Sequence, residues 1–183
     1  MKRTGCVAAI VICIFSWSKA QTPADSKLIY PIIPNTGGVV PLPHAAEQPR
    51  NGSKVVFDVT VDAKPGEINK GVERIARLLN LYGAAKKKST DIKVTVVFHG
   101  EATKTILMDE VYKAKFGTAN NPNLITLNKL REAGVEIFVC GQALHYKNFS
   151  ESSVAKGISI ASAALTVVIN RQNEGYAYIP VHQ

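Results

Sequence analysis

From Lys54 onward the chain alternates between two hydrophobic rhythms. Lys54–Val61 (KVVFDVTV) is rich in β-branched residues and predicts a strand. Pro65-Gly66-Glu67 then opens a helix with proline near its first turn. Ile68, Val72, Ile75, Leu78, Leu79 and Tyr82 recur at three- and four-residue steps along it, and Gly83 is its predicted stop. Asp91–Phe98 (DIKVTVVF) predicts a second strand, nearly all apolar after Lys93, as burial on both faces requires. Thr103–Phe116 predicts a helix, Gly117 to Pro122 a break, and Asn123–Ala133 a further helix stopped by Gly134. Val135–Val139 is the third strand, followed by Cys140-Gly141-Gln142 and a loop or short helix. Val154–Ala161 predicts a fourth strand, Ala163–Gln172 a helix ended by Gly175, and Tyr176–Val181 a closing strand. Strands alternating with helices imply parallel pairing through right-handed crossovers. The expected architecture is a three-layer α/β domain with a mostly parallel sheet of about five strands.

The segment before Lys54 follows other rules. Met1-Lys2-Arg3, the apolar run Gly5 to Trp17 and Ser18-Lys19-Ala20 have the layout of a secretory signal peptide, residues 1–20, cleaved before Gln21. A retained N-terminal anchor is the alternative, although the run falls short of the roughly 20 apolar residues that span a bilayer. Cys13 follows Ile12 rather than a small residue, so a lipoprotein signal does not fit. Pro23, Pro31, Pro34, Pro41, Pro43 and Pro49 make residues 21–53 a proline-rich N-terminal tether that excludes helix. Its Leu28–Ile33 patch is apolar enough to dock on the domain or on a neighbouring subunit. The domain itself is residues 54–183.

Cleavage changes the charge and the thiol inventory. The full chain has 22 basic and 14 acidic residues, a net charge of +8, and loss of Lys2, Arg3 and Lys19 lowers it to +5. That excess favours solubility rather than a nucleic-acid surface. The Lys86-Lys87-Lys88 cluster carries no interleaved aromatics and suits a solvated helix end. No later segment predicts membrane insertion, and localisation is expected to be periplasmic or secreted. Cys6 and Cys13 leave with the signal, so Cys140 remains alone. In an oxidising compartment an unpaired thiol is buried and inert, joined to another chain, or reactive.

Chemistry in a parallel sheet collects at the carboxyl ends of the strands. Two ends stand out, His99-Gly100-Glu101 and Cys140-Gly141-Gln142, each with glycine letting the backbone turn sharply. Backbone N–H groups of a following turn favour a thiolate at Cys140, and His145 and Lys147 could add positive charge. Equally, Cys140 reads as a small hydrophobe that finishes a buried strand. His99 either orients a substrate and moves a proton or braces its turn. Glu101 reads as solvated or as a first-turn cap. The four histidines show no ligand spacing with Cys140, which argues against zinc, and no glycine-rich nucleotide loop or serine elbow is present. No cofactor is expected. Asn51-Gly52-Ser53 and Asn148-Phe149-Ser150 fit the glycosylation pattern, which matters only in a eukaryotic secretory pathway.

The run VTVVFHGEA, the Leu124–Gly134 helix, VEIFVCGQAL and the Gly-Tyr-Ala-Tyr-Ile ending together resemble the DsrE/DsrF/TusD family, closest to its exported, stand-alone members. The resemblance covers Lys54 to the C-terminus. It implies a flavodoxin-like subunit that assembles into trimers or hexamers. It also implies a cysteine at this strand end that accepts sulfane sulfur as a persulfide and hands it to a partner, the position that Cys140 occupies. His99 matches a position seen in exported relatives, with no role to carry over. The expected function is an exported sulfur carrier or sulfurtransferase-like protein acting through Cys140, with Gly141 and Gln142 lining the site through backbone N–H groups. Its partners would be sulfur donor and acceptor proteins. The alternative is a non-catalytic oligomeric binding module in which Cys140 is packing. A disulfide- or peroxide-handling protein would need a resolving cysteine that the mature chain lacks.

Overall fold

The computed structural model describes residues 27–182. The signal peptide 1–20, Cys6, Cys13 and the tether's first residues, 21–26, lie outside the described residues.

Five strands form one all-parallel sheet: β1 (Ser53–Val59), β2 (Ile92–Phe98), β3 (Glu136–Cys140), β4 (Ser159–Ala161) and β5 (Ala177–Val181). Their order across the sheet is β4-β3-β2-β1-β5. Five helices accompany them: α1 (Lys70–Ala84), α2 (Asp109–Phe116), α3 (Leu124–Glu132), α4 (Gly141–Tyr146) and α5 (Ala164–Asn173). The chain steps outward from β1 to β4, then α5 carries it back beneath the sheet to β5 on the far side of β1. Right-handed crossovers require that reversal to place α5 on the opposite face from α1 and α3, and the core divides accordingly.

One face carries Val55, Phe57, Val59, Val94, Val96, Phe98, Ile137 and Val139, packed with Val72, Ile75 and Leu79 of α1 and Leu127 and Leu130 of α3. The other carries Val97, Phe138 and Cys140, covered by Ala164, Val167 and Val168 of α5. The domain is thus three-layered, as the alternation predicts.

Three boundaries differ from the sequence expectation, each for a physical reason. Helix α1 begins at Lys70 rather than at Pro65, because Asn69 caps it by accepting from Gly71 N at 2.7 Å; Gly83 lies inside its last turn. Thr103–Phe116 is not one helix. A 3₁₀ stretch, Gly100–Ile106, ends where Leu107 forms an antiparallel bridge with Val154, and α2 starts afresh at Asp109. That bridge also takes Val154 out of the fourth strand, and a turn at Gly157 (φ +83°) leaves β4 only three residues.

Residues 27–53 form an ordered strap against α1. Ile29 and Val39 pair antiparallel, and Ile33 and Val39 are buried. Buried Asn80 makes most of the side-chain bonds to the strap, accepting from Ile32 N and Ile33 N and donating to the carbonyls of Ile33, Thr36 and Gly37; Thr126 pairs with Thr36, and the Tyr82 hydroxyl donates to Arg50 O at 2.8 Å. Gly37 sits at φ +65°, and a Cβ there would lie 2.3 Å from Arg77 N, so only glycine lets the strap approach the helix backbone.

Candidate functional site

The carboxyl edge of the sheet brings three chains of contact together. Cys140 is the last residue of β3, and its register partner on β4 is Ala161. On the other side, β2 and β3 run in register from Thr95–Glu136 to Phe98–Val139. One step further, His99 stands opposite Cys140. His99 keeps an extended backbone (φ −154°, ψ −177°) and continues the ladder by donating its N–H to Val59 O at 3.0 Å. Side chains alternate along a strand, so His99 follows Val97, and Cys140 follows Phe138, onto the face covered by α5. The two expected site residues therefore occupy one face and one level on neighbouring strands, about 4.8 Å apart in the backbone.

Cys140 itself is nearly enclosed, at 6 % exposure, among Val97, Ala164 and Val167, with Ala143, Ala161 and Ala163 at the edge of the cluster. Among the described residues the thiol makes no hydrogen bond. Gly141 and Gln142 act on the same neighbourhood. A Cβ at Gly141 would lie 2.9 Å from Ala161 O, so glycine lets the β3–α4 turn close against β4. Gln142 Nε2 donates to Ser162 O at 3.2 Å and ties that turn to the connection leading into α5. The ten-residue α5 starts here, at Ala163 and Ala164, without a side-chain cap, and its positive end adjoins the sulfur. The charges expected from His145 and Lys147 are engaged elsewhere: Lys147 pairs with Glu101, and exposed His145 lies edge-on to Tyr146.

His99 is not a bare imidazole. Its Nε2 lies 2.6 Å from Asp58 Oδ1, and the hydroxyl of Tyr178 donates to Asp58 Oδ2 at 2.7 Å. Burial of Asp58 opposes its charge, yet the hydrogen bonds from His99 and Tyr178, with the nearby imidazoles, win and hold the carboxyl below its ordinary value. The same bond from the other side raises the Tyr178 phenol, with burial adding to it. An ionised carboxylate only accepts, so the ring nitrogen that faces it, Nε2, is the donor of this bond. Beside this group His182 Nδ1 lies 2.6 Å from Thr60 Oγ1. Asp58 and Tyr178 were not singled out from the sequence. The available signal was one acid inside a β-branched strand, flanked by Phe57 and Val59, which places its carboxylate on the face opposite their side chains.

Among the described residues no group of three or more histidines, cysteines or acids is arranged to hold a metal ion. No helix of the described residues is long and apolar enough to cross a membrane.

An all-parallel five-stranded sheet between helical layers, with cysteine and histidine side by side at its carboxyl edge, defines an α/β protein of flavodoxin-like build. The DsrE/DsrF-like family matches residues 54–181, and the chain belongs to that family. Among solved structures, the protein of unknown function MTH1491 from Methanobacterium thermoautotrophicum is similar at 19% identity and a TM-score of 0.51, covering 70% of this chain and 99% of its own. The ychN protein from E. coli is similar at 14% identity and a TM-score of 0.49, covering 72% of this chain and 99% of its own. No curated protein matches the chain. At 19% identity the likeness to MTH1491 establishes the fold alone.

Proposed function

We propose that this protein is an exported sulfur carrier that holds sulfane sulfur as a persulfide on Cys140. Membership of the DsrE/DsrF-like family supports a sulfur-relay type of fold. The observation that carries the finer reading is the placement of Cys140 at the end of β3, level with His99 and against the uncapped start of α5. A helix N-terminus and an imidazole are the surroundings in which cysteines act as nucleophiles. The chemistry balances without a further reagent. The Cys140 thiolate attacks the outer sulfur of a persulfide donor, R–S–S–H, and the donor's S–S bond breaks as R–S⁻ departs with its electron pair. An acceptor thiolate then attacks the outer sulfur of the Cys140 persulfide and releases the Cys140 thiolate.

The partner in this reading is further copies of the chain, in a trimer or hexamer, and exposed apolar side chains support self-association. Leu165 and Ile169, one turn apart on α5, are 72% and 54% exposed, and the edge strand β5 is exposed from Ala177 to Pro180. Removal of residues 1–20 would place that assembly in the periplasm or outside the cell.

A second reading has its own observation. The 6 % exposure of Cys140 among Val97, Ala164 and Val167 fits a packing residue in a non-catalytic oligomeric module. Titrating the thiol with a disulfide reagent, in the native protein and again in denaturant, separates the two. The carrier reading predicts one thiol per chain reacting in the native state within minutes. Reaction only after denaturation would establish packing.

A further inference from the structure

We propose that Asp58 is a positioning residue for Cys140: it fixes the His99 ring with Nε2 protonated, leaving Nδ1 to take the proton of the thiol on the next strand. The proposal rests on the reading of Cys140 as the sulfur acceptor and deepens it. Three residues from three adjacent strands, Cys140 on β3, His99 at the end of β2 and Asp58 on β1, lie on the one sheet face that α5 covers. The order is nucleophile, base and orienting acid, recognised by geometry rather than by position in the chain.

The surroundings are arranged to keep this order. The Asp58 side chain is 13% exposed and that of His99 29%, so the carboxylate is the more enclosed and the ring the more accessible of the two. Tyr178 on β5 holds the second carboxylate oxygen, which stops Asp58 from turning away from the ring. The other titratable groups nearby are His182, bonded to Thr60 beyond β5, and the Glu101–Lys147 pair after β2. Helix α5 contributes Ala163, Ala164 and Val167 to this region, none of which titrates. Arg171 is committed to Glu136, Glu174 and Thr95, and Thr95 precedes His99 by four residues on β2. His99 thus has one fixed anionic partner, and its Nδ1 makes no hydrogen bond among the described residues.

The proton follows a closed path. The Cys140 S–H bond breaks, the proton passes to His99 Nδ1, directly or through one water, and the electron pair stays on sulfur. After attack on the persulfide donor, the imidazolium returns that proton to the departing R–S⁻, so donor thiol and neutral histidine are restored. Thiol and imidazole share no hydrogen bond among the described residues, which is common for catalytic pairs before substrate arrives. Asp58 stays ionised throughout and stabilises the imidazolium.

The test is the pH dependence of Cys140 alkylation. Rates with iodoacetamide are followed by intact mass from pH 5 to 10 in the wild type, Asp58→Asn and Asp58→Glu, each shown to be folded by its melting curve. The wild type should keep substantial reactivity at pH 6. Asp58→Asn should lose about tenfold there and retain only the rise of an unassisted thiol near pH ~8.5, with partial recovery in Asp58→Glu. Superimposable profiles for the wild type and Asp58→Asn would overturn the proposal. If Asp58→Asn does not fold, His99→Gln carries the same comparison, and an unchanged profile there is equally decisive. A wild-type Cys140 that takes up sulfur yet ignores Asp58 sinks this inference alone; one that is inert in the native state sinks the carrier reading with it.

Discussion

Replacing Asn80 by alanine should cost about 3–5 kcal/mol of stability. Asn80 is fully buried and makes five hydrogen bonds, all to backbone groups of the strap between Ile32 and Gly37. Alanine leaves two N–H groups and three carbonyls without that partner inside an apolar layer. Each unmet group costs about 1–3 kcal/mol when it stays dry, so the strap would lift to reach water instead. Ile33 and Val39 would then lose their burial, adding the apolar term. Denaturant melts measure the loss. Limited proteolysis locates it, because cleavage should appear between Gly37 and Arg50 while the sheet stays intact. Asn80→Asp should recover little, since a carboxylate cannot donate to the three carbonyls and would bury a charge. A cost below about 1 kcal/mol would contradict the assignment.

The second large effect falls on the other face. Arg171, near the end of α5, donates through Nε to buried Thr95 Oγ1 at 3.0 Å and through its other nitrogens to Glu136 and Glu174. Its guanidinium also lies 5.9 Å from the Phe138 ring and 5.6 Å from that of Tyr176. Both carboxylate partners are about half exposed and contribute little alone. The Thr95 bond and the Phe138 contact fasten the end of α5 to β2 and β3, beside the apolar packing of Val167 and Val168, and the Tyr176 contact ties it to the approach to β5. Arg171→Ala should therefore lower stability by about 2–3 kcal/mol, and Arg171→Lys should not restore it, because lysine lacks the planar fork. Loosening α5 also uncovers its other end, so Cys140 should alkylate faster in Arg171→Ala. Stability within about 0.5 kcal/mol of wild type with an unchanged alkylation rate would show that α5 is held by other contacts.

The parts of this structure that were legible in the sequence are those fixed by local pattern. Strands β2 and β3 are apolar on both faces and could be nothing else at that length. His99 and Cys140 lie at their carboxyl ends, where the strand pattern puts them, and Gly100 (φ +57°) makes the turn its position suggests. What local pattern could not show was long-range. The Leu107–Val154 bridge splits one expected helix and shortens one expected strand, and its two residues lie far apart in the chain. The helix start was misplaced because Pro65-Gly66 competed with Asn69, a better cap whose oxygen only the folded turn directs at Gly71 N. The Asp58 pairings with His99 and Tyr178 span 41 and 120 residues, and nothing in KVVFDVTV announces them. Burial of Cys140 likewise depends on where α5 crosses, which the helix pattern alone leaves open.

The central claim is that the Cys140 sulfur accepts a second sulfur in the folded protein. Intact-mass measurement after incubation with a small-molecule persulfide, under native conditions, reads this directly. The wild type should gain the mass of one sulfur, lose it on addition of a thiol, and show no gain as Cys140→Ser. A wild-type mass that stays unchanged, or an equal gain in Cys140→Ser, would contradict the account.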